Sequence, residues 1–170
     1  MNSRSEPTRG ESISIPRYDT GAAGPLALID ADPGRFQSLM ASGLDHYGGP
    51  VLKIGDGFTR RWLEKSANPY RHEIGDVAAR MGHPGGYLLN LSYEWTCTTG
   101  VGPEPDGTGM RMLRTLDWPL PGLGRNVVVG GHEGAAGPWL NVTWPGFVGV
   151  VTAMAPAASP PPSTSRPCAA

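Results

Sequence analysis

An α+β fold is predicted for this chain of 170 residues, with helices in its first part and strands in its second. Three observations predict it. Apolar residues recur at helical spacing, behind proline-bearing start signals, between residues 32 and 81. Beyond Cys97 they gather instead into short β-prone runs cut by Gly and Pro. The composition, with 25 Gly and 18 Pro but only 17% charged residues, fits a turn-rich globular chain rather than a charged disordered one. The length suits one domain able to bury a core.

Residues 1–24 are polar and broken by Pro7, Pro16 and the 21–24 Gly/Ala run, so they read as a loose N-terminal segment. Asp32 before Pro33 is an N-cap followed by proline at N1, and Phe36, Leu39, Met40 and Leu44 supply the buried stripe of a helix. Gly48, Gly49 and Pro50 end it. Thr59 reads as the cap of a short helix carrying Trp62 and Leu63. Asn68-Pro69 repeats the cap-plus-proline signal, and Tyr70, Ile74, Val77, Ala78 and Met81 follow at helical spacing before the 82–86 break. Residues 87–95 fit two patterns. Leu89, Leu91, Tyr93 and Trp95 alternate as in a strand, whereas Leu88, Leu91, Ser92 and Trp95 share a helical face. The runs 110–116, 126–129, 140–144 and 147–153 are expected to form an antiparallel sheet, with Gly100–Gly102 and Gly130-Gly131 in turns. Residues 156–170 are rich in Pro, Ser and Ala and cannot continue a sheet.

The net charge of −1 gives no electrostatic footprint for nucleic acid or an anionic membrane. No apolar run reaches the length of a membrane span, and the N-terminus lacks a signal-peptide core. Two cysteines, Cys97 and Cys168, make no disulfide framework, so a reducing, cytoplasmic location is expected. No metal-ligand spacing and no phosphate loop occurs, so neither metal nor cofactor is expected. His46 and His72 fall on helix surfaces, His83 and His132 in turns, and none stands in a Cys–His signature.

Cys97 lies between threonines, where an apolar segment gives way to glycine-rich chain. The plain reading is a cysteine filling a core gap. A thiol acts as a nucleophile only with a base or a lowered pKa. Cutting the peptide bond before Cys97 would supply that base, because the freed α-amino group has an ordinary pKa of about 7.7–8.0 and lies within reach of its own thiol. Arg114 and Asp117, three apart, read plainly as an exposed ion pair worth under about 1 kcal/mol.

Tyr93-Glu94-Trp95-Thr96-Cys97-Thr98-Thr99 together with Arg114-Thr115-Leu116-Asp117-Trp118-Pro119 resembles the N-terminal-nucleophile (Ntn) cysteine amidases and acyltransferases. The nearest groups are acid ceramidase, N-acylethanolamine acid amidase and acyl-CoA:6-aminopenicillanic acid acyltransferase. The 68–91 stretch, with its Leu88-Leu89-Asn90-Leu91 run, is similar to the last helices of their α-subunit, and 143–154 to their second pair of strands. The likeness spans about 68–154, and it turns the 87–95 ambiguity toward helix.

The resemblance implies a partial αββα fold: an incomplete domain over 25–155, with 25–96 α-subunit-like and 97–155 the start of the β-subunit-like part. It implies self-cleavage between Thr96 and Cys97, after which the two parts stay associated. Cys97 would be nucleophile through sulfur and base through its amine. Arg114 would hold an acyl oxygen or polar head group beside it, and Asp117 would orient the new amine. The substrate implied is a small acyl amide, opened at its C–N bond through an acyl-thioester. Acyl transfer to an amine is the alternative, and an inactive or binding remnant the second.

Members of that family continue further, with more strands, a second helical layer and a distant Asn in the oxyanion hole. The tail is therefore expected to be out of frame. Restoring one base after Pro156 permits Gly-Arg-Phe-Ala-Ala-Ala-Ile-Asn-Gln, similar to the family's next strand.

Overall fold

The computed structural model describes residues 13–91 and 96–156. Helices and strands both occur, as an α+β chain requires, in the order β1 (Arg17–Gly21), α1 (Pro25–Ala31), α2 (Pro33–Tyr47), α3 (Gly49–Lys65), α4 (Arg71–Met81), β2 (Thr96–Pro103), β3 (Met110–Asp117), β4 (Val128–Gly134), β5 (Gly137–Thr143) and β6 (Thr152–Met154). Short 3₁₀ turns occupy Leu88–Asn90 and Leu123–Asn126.

The first start signal acts as the sequence predicts; at the second, Asn68-Pro69 lies in the turn before α4, whose N-cap is Tyr70 with no side-chain cap bond. Asp32 accepts the Arg35 amide at 3.0 Å, with Pro33 in the first turn of α2. Its other oxygen accepts Arg35 Nη1 and the Tyr18 hydroxyl, both at 2.8 Å, so the cap also ties α2 to β1. Burial works against the Asp32 charge. The Arg35 amide, the Arg35 guanidinium and the Tyr18 hydroxyl together outweigh it and hold the carboxyl below the usual carboxylate range. Asn68 Oδ1 accepts the Tyr70 amide at 2.9 Å, and α4 begins at the next residue. Gly48, at φ 79°, turns the chain directly from α2 into α3.

One core joins these helices to the later chain. Ile29, Phe36, Leu39, Met40, Leu52 and Val77 from α1–α4 meet Leu89, Leu120, Leu123, Trp144 and Phe147. The four-stranded sheet runs β1-β4-β5-β6. Its inner face is buried at Val128, Gly130, Asn141 and Thr143, while Val129, Leu140 and Val142 on the outer face are half-buried. Leu28 of α1 lies over Gly130, which puts the helices on the inner side. Strands β2 and β3 form a separate antiparallel ribbon.

Several sequence expectations are corrected. Residues 17–21 are a strand, not loose chain, and β1 pairs in parallel with β4, so the sheet is not wholly antiparallel. The pairing partner lies more than a hundred residues away, beyond any local signal. Thr59 caps nothing: α3 already starts with Pro50 in its first turn, and Thr59 is buried in the helix interior. Leu44, expected in the buried stripe of α2, faces out. Gly100–Gly102 sit in β2 and Gly130-Gly131 in β4, not in turns. A Cβ on Gly130 would stand 2.6 Å from His132 Nε2 and 3.3 Å from Leu28, so close approach selects glycine there. Of the 147–153 run only Thr152 and Ala153 pair as strand, in β6, and 126–129 divides between a 3₁₀ turn and β4. The helix expected over 87–95 shrinks to the turn at Leu88–Asn90, with Leu91 extended; 92–95 lie outside the described residues, as do 1–12 and the tail from 157.

Candidate active site

Two side chains organise the segment between α4 and Leu91. Asp56, inside α3, accepts the backbone N–H groups of Gly85 (2.7 Å), Tyr87 (3.1 Å) and Leu88 (2.8 Å). One carboxylate thus satisfies a loop that has left α4 and not yet reached a strand. Asn90 then straps the chain to the segment after β5. Its Nδ2 donates to Gly86 O (2.9 Å) and Gly146 O (3.1 Å), and its Oδ1 accepts the Val148 amide (2.9 Å). Asn90 belongs to the Leu-rich run noted in the sequence, but its role as a strap shows only in three dimensions.

The ribbon forms because Thr and Val recur through β2 and the 104–109 loop closes with local bonds. Glu104 exchanges backbone bonds with Gly107 and Gly109 at 2.9 Å, and Asp106 Oδ1 accepts the Thr108 amide at 3.0 Å. The register pairs Cys97 with Leu116, Thr99 with Arg114 and Thr96 with Asp117. Directly opposed residues share a face, and faces alternate along each strand. Cys97 and Arg114 are therefore diagonal neighbours on one face. Asp117 points to the other.

The structure brings the first two together. Arg114 Nη2 donates to Cys97 Sγ at 3.2 Å, and Nη1 donates to Thr152 Oγ1 at 3.1 Å. Thr152 pairs with Val142 and so lies on the outer face of the four-stranded sheet, which Arg114 ties to the ribbon. The guanidinium is held in one orientation while its buried Nε has no hydrogen-bond partner. Cys97 is a free, exposed thiol rather than a core filler. Asp117 is exposed and level with Thr96, across the ribbon from the Thr96–Cys97 junction, and does not share the thiol's face. Nothing in the sequence marked Thr152 as a partner of Arg114, since β3 and β6 join only through tertiary placement.

The histidines stand apart from this arrangement. His46 and His72 are exposed on α2 and α4, and His83 bends the chain after α4. His132 is in β4, not a turn. It stacks on Trp139 with ring centroids 4.6 Å apart, its Nδ1 is 3.0 Å from Thr20 Oγ1, and burial pushes its pKa down against the pull of Asp19. Among the described residues no group of three His, Cys, Asp or Glu side chains could hold a metal ion, and no helix is long and apolar enough to cross a membrane.

Chemically, the site offers an open thiol with fixed guanidinium donors beside it, a pairing that can attack a carbonyl carbon and hold its oxygen or an attached anionic group. No protein-family model, curated protein or solved structure matches this chain.

Proposed function

We propose that this chain is an autoproteolytic Ntn cysteine hydrolase that opens linear, non-peptide amide C–N bonds through an acyl-thioester. The observation that carries the reading is the Arg114–Cys97 hydrogen bond near the open end of the ribbon. A core-filling cysteine would be buried, and a surface Arg114–Asp117 pair would join residues that here sit on opposite faces. The layering of helices, four-stranded sheet and outer ribbon supports a partial αββα arrangement, with the ribbon as the start of the second sheet.

In maturation, Cys97 Sγ attacks the Thr96 carbonyl carbon. The C–N bond to Cys97 breaks, its nitrogen takes a proton and becomes the free α-amine, and Thr96 is left as a thioester on Sγ. Water then releases the Thr96 carboxylate and restores the thiol. In turnover the new amine takes the thiol proton and passes it to the nitrogen that Sγ displaces from the acyl carbon, and water then cleaves the thioester, releasing the acid and restoring the thiol. Arg114 holds the acyl oxygen or head group. Asp117, level with the junction, orients the amine that cleavage frees. The exposure of Cys97 also admits an amine in place of water, which makes acyl transfer the second reading.

Intact-mass spectrometry of the purified chain tests this. The expected result is two pieces divided between Thr96 and Cys97, with Cys97→Ala left whole. A wild-type chain of full mass that hydrolyses a panel of acyl amides no faster than Cys97→Ala would overturn the proposal.

A further inference from the structure

A cleft of about 470 Å³ opens among α1, α2 and the end of α4, and none of its lining residues comes from the ribbon that carries Cys97. That volume lies within the range of small-molecule sites, roughly 300–1,000 Å³. Its floor is apolar. Ile29, Phe36 and Met40 are buried there, and Leu44 and Met81 also line it. The two methionines are unbranched and adapt to more than one side-chain shape.

Four polar side chains complete the lining, and they carry both signs of charge. Asp30 and Arg80 form a hydrogen-bonded ion pair between α1 and α4. Both are exposed, so the pair contributes little by itself, and the guanidinium keeps further N–H donors. His83 Nδ1 lies 3.0 Å from Pro84 O. A carbonyl oxygen only accepts, so Nδ1 holds the hydrogen and Nε2 of the neutral ring is an acceptor. Gln37 adds an amide that both donates and accepts. Donors at Arg80 and acceptors at Asp30 and His83 thus border one apolar floor.

We propose that this cleft binds a free α-amino acid with a large apolar side chain, such as leucine, methionine or phenylalanine. The ligand side chain lies on Ile29, Phe36 and Met40. Its carboxylate takes N–H donors of Arg80, and its ammonium donates to Asp30 and to His83 Nε2. Charge complementarity selects this occupant. A zwitterion exchanges one exposed ion pair for two and leaves neither Asp30 nor Arg80 without a counter-charge. An apolar acid would bring its charge up against Asp30, and an apolar amine would meet Arg80, so each is the poorer occupant. The proposal is independent of any chemistry at Cys97.

Calorimetric titration of the full chain with phenylalanine, leucine and methionine in mildly alkaline buffer tests it. Dissociation constants of about 0.1–1 mM are expected for so small a ligand in a half-open cleft. Glycine lacks the side chain, and phenylpropionate and phenylethylamine each lack one charge; all three should bind at least about tenfold more weakly than phenylalanine. Asp30→Asn and Arg80→Gln should each weaken phenylalanine about tenfold, and Ala41→Trp, which fills the cleft, should abolish its binding. Arg60→Gln, which removes an exposed ion pair on α3, should change nothing. Because all these positions are exposed, circular dichroism should report wild-type folding; if Arg80→Gln fails that check, Asp30→Asn decides. No binding by any of the three amino acids, equal binding by phenylpropionate or phenylethylamine, or an unchanged constant in Asp30→Asn would overturn the proposal.

Discussion

Replacing Asp56 by Ala removes the acceptor for three backbone donors at once. Gly85 is buried, while Tyr87 and Leu88 are half-buried, so water can replace the carboxylate at two of the three N–H groups only in part. An orphaned donor costs about 1–3 kcal/mol. Taking the low end for each gives a loss of ~3 kcal/mol, which for a chain of this size lowers the melting temperature by about 6–12 °C. Asp56→Asn should cost about half as much. Its carbonyl oxygen can still accept from Tyr87 and Leu88, as Oδ1 does now, but its NH₂ group would face the Gly85 N–H. Thermal and urea unfolding followed by circular dichroism read both values. If Asp56→Ala unfolds within ~0.5 kcal/mol of the wild type, the carboxylate does not organise the 85–88 loop and this account of it fails.

Three further outcomes are expected. A Cβ on Gly86 would stand 2.5 Å from Ala78 Cα and 2.6 Å from Ala78 Cβ, so Gly86→Ala should destabilise by about 1–3 kcal/mol in urea titration, whereas Gly57→Ala, with open space around it, should not. Asp32→Asn keeps the capping oxygen but loses the carboxylate charge beside Arg35 and the helix N-terminus, and should cost about 0.3–1 kcal/mol near neutral pH. Since the folded carboxyl titrates below its unfolded value, its stabilisation is present above about pH 4 and is lost as pH falls through the folded pKa; the variant should lack that part of the acid slope. His132 gives the second pH window. Its folded pKa lies below the ordinary value near 6.5, so the unfolded chain binds a proton first and stability falls as pH drops below about 6.5. His132→Gln should flatten that segment of the curve in equilibrium unfolding.

Sequence alone determined what local chemistry controls. Asp32-Pro33 marks a real helix start because a cap and a proline act within one turn, whereas Asn68-Pro69 makes the turn just before α4. Phe36, Leu39, Met40, Ile74 and Val77 are buried because a 3.6-residue period fixes which side of a helix they share. Cys97 stood out by its neighbours, and Arg114 only through the resemblance of its segment to the Ntn amidases; the antiparallel register brings the two together. Tertiary structure decided the rest. The parallel partner of β1, the bond from Arg114 to Thr152, the three donors gathered by Asp56 and the strap at Asn90 each join residues from separate elements, so no short window contains both halves. The same distinction separates Leu63 from Trp62. Both are apolar neighbours on one helix, and only the placement of α2, α4 and the Leu88–Asn90 turn against α3 buries the first and leaves the second facing out.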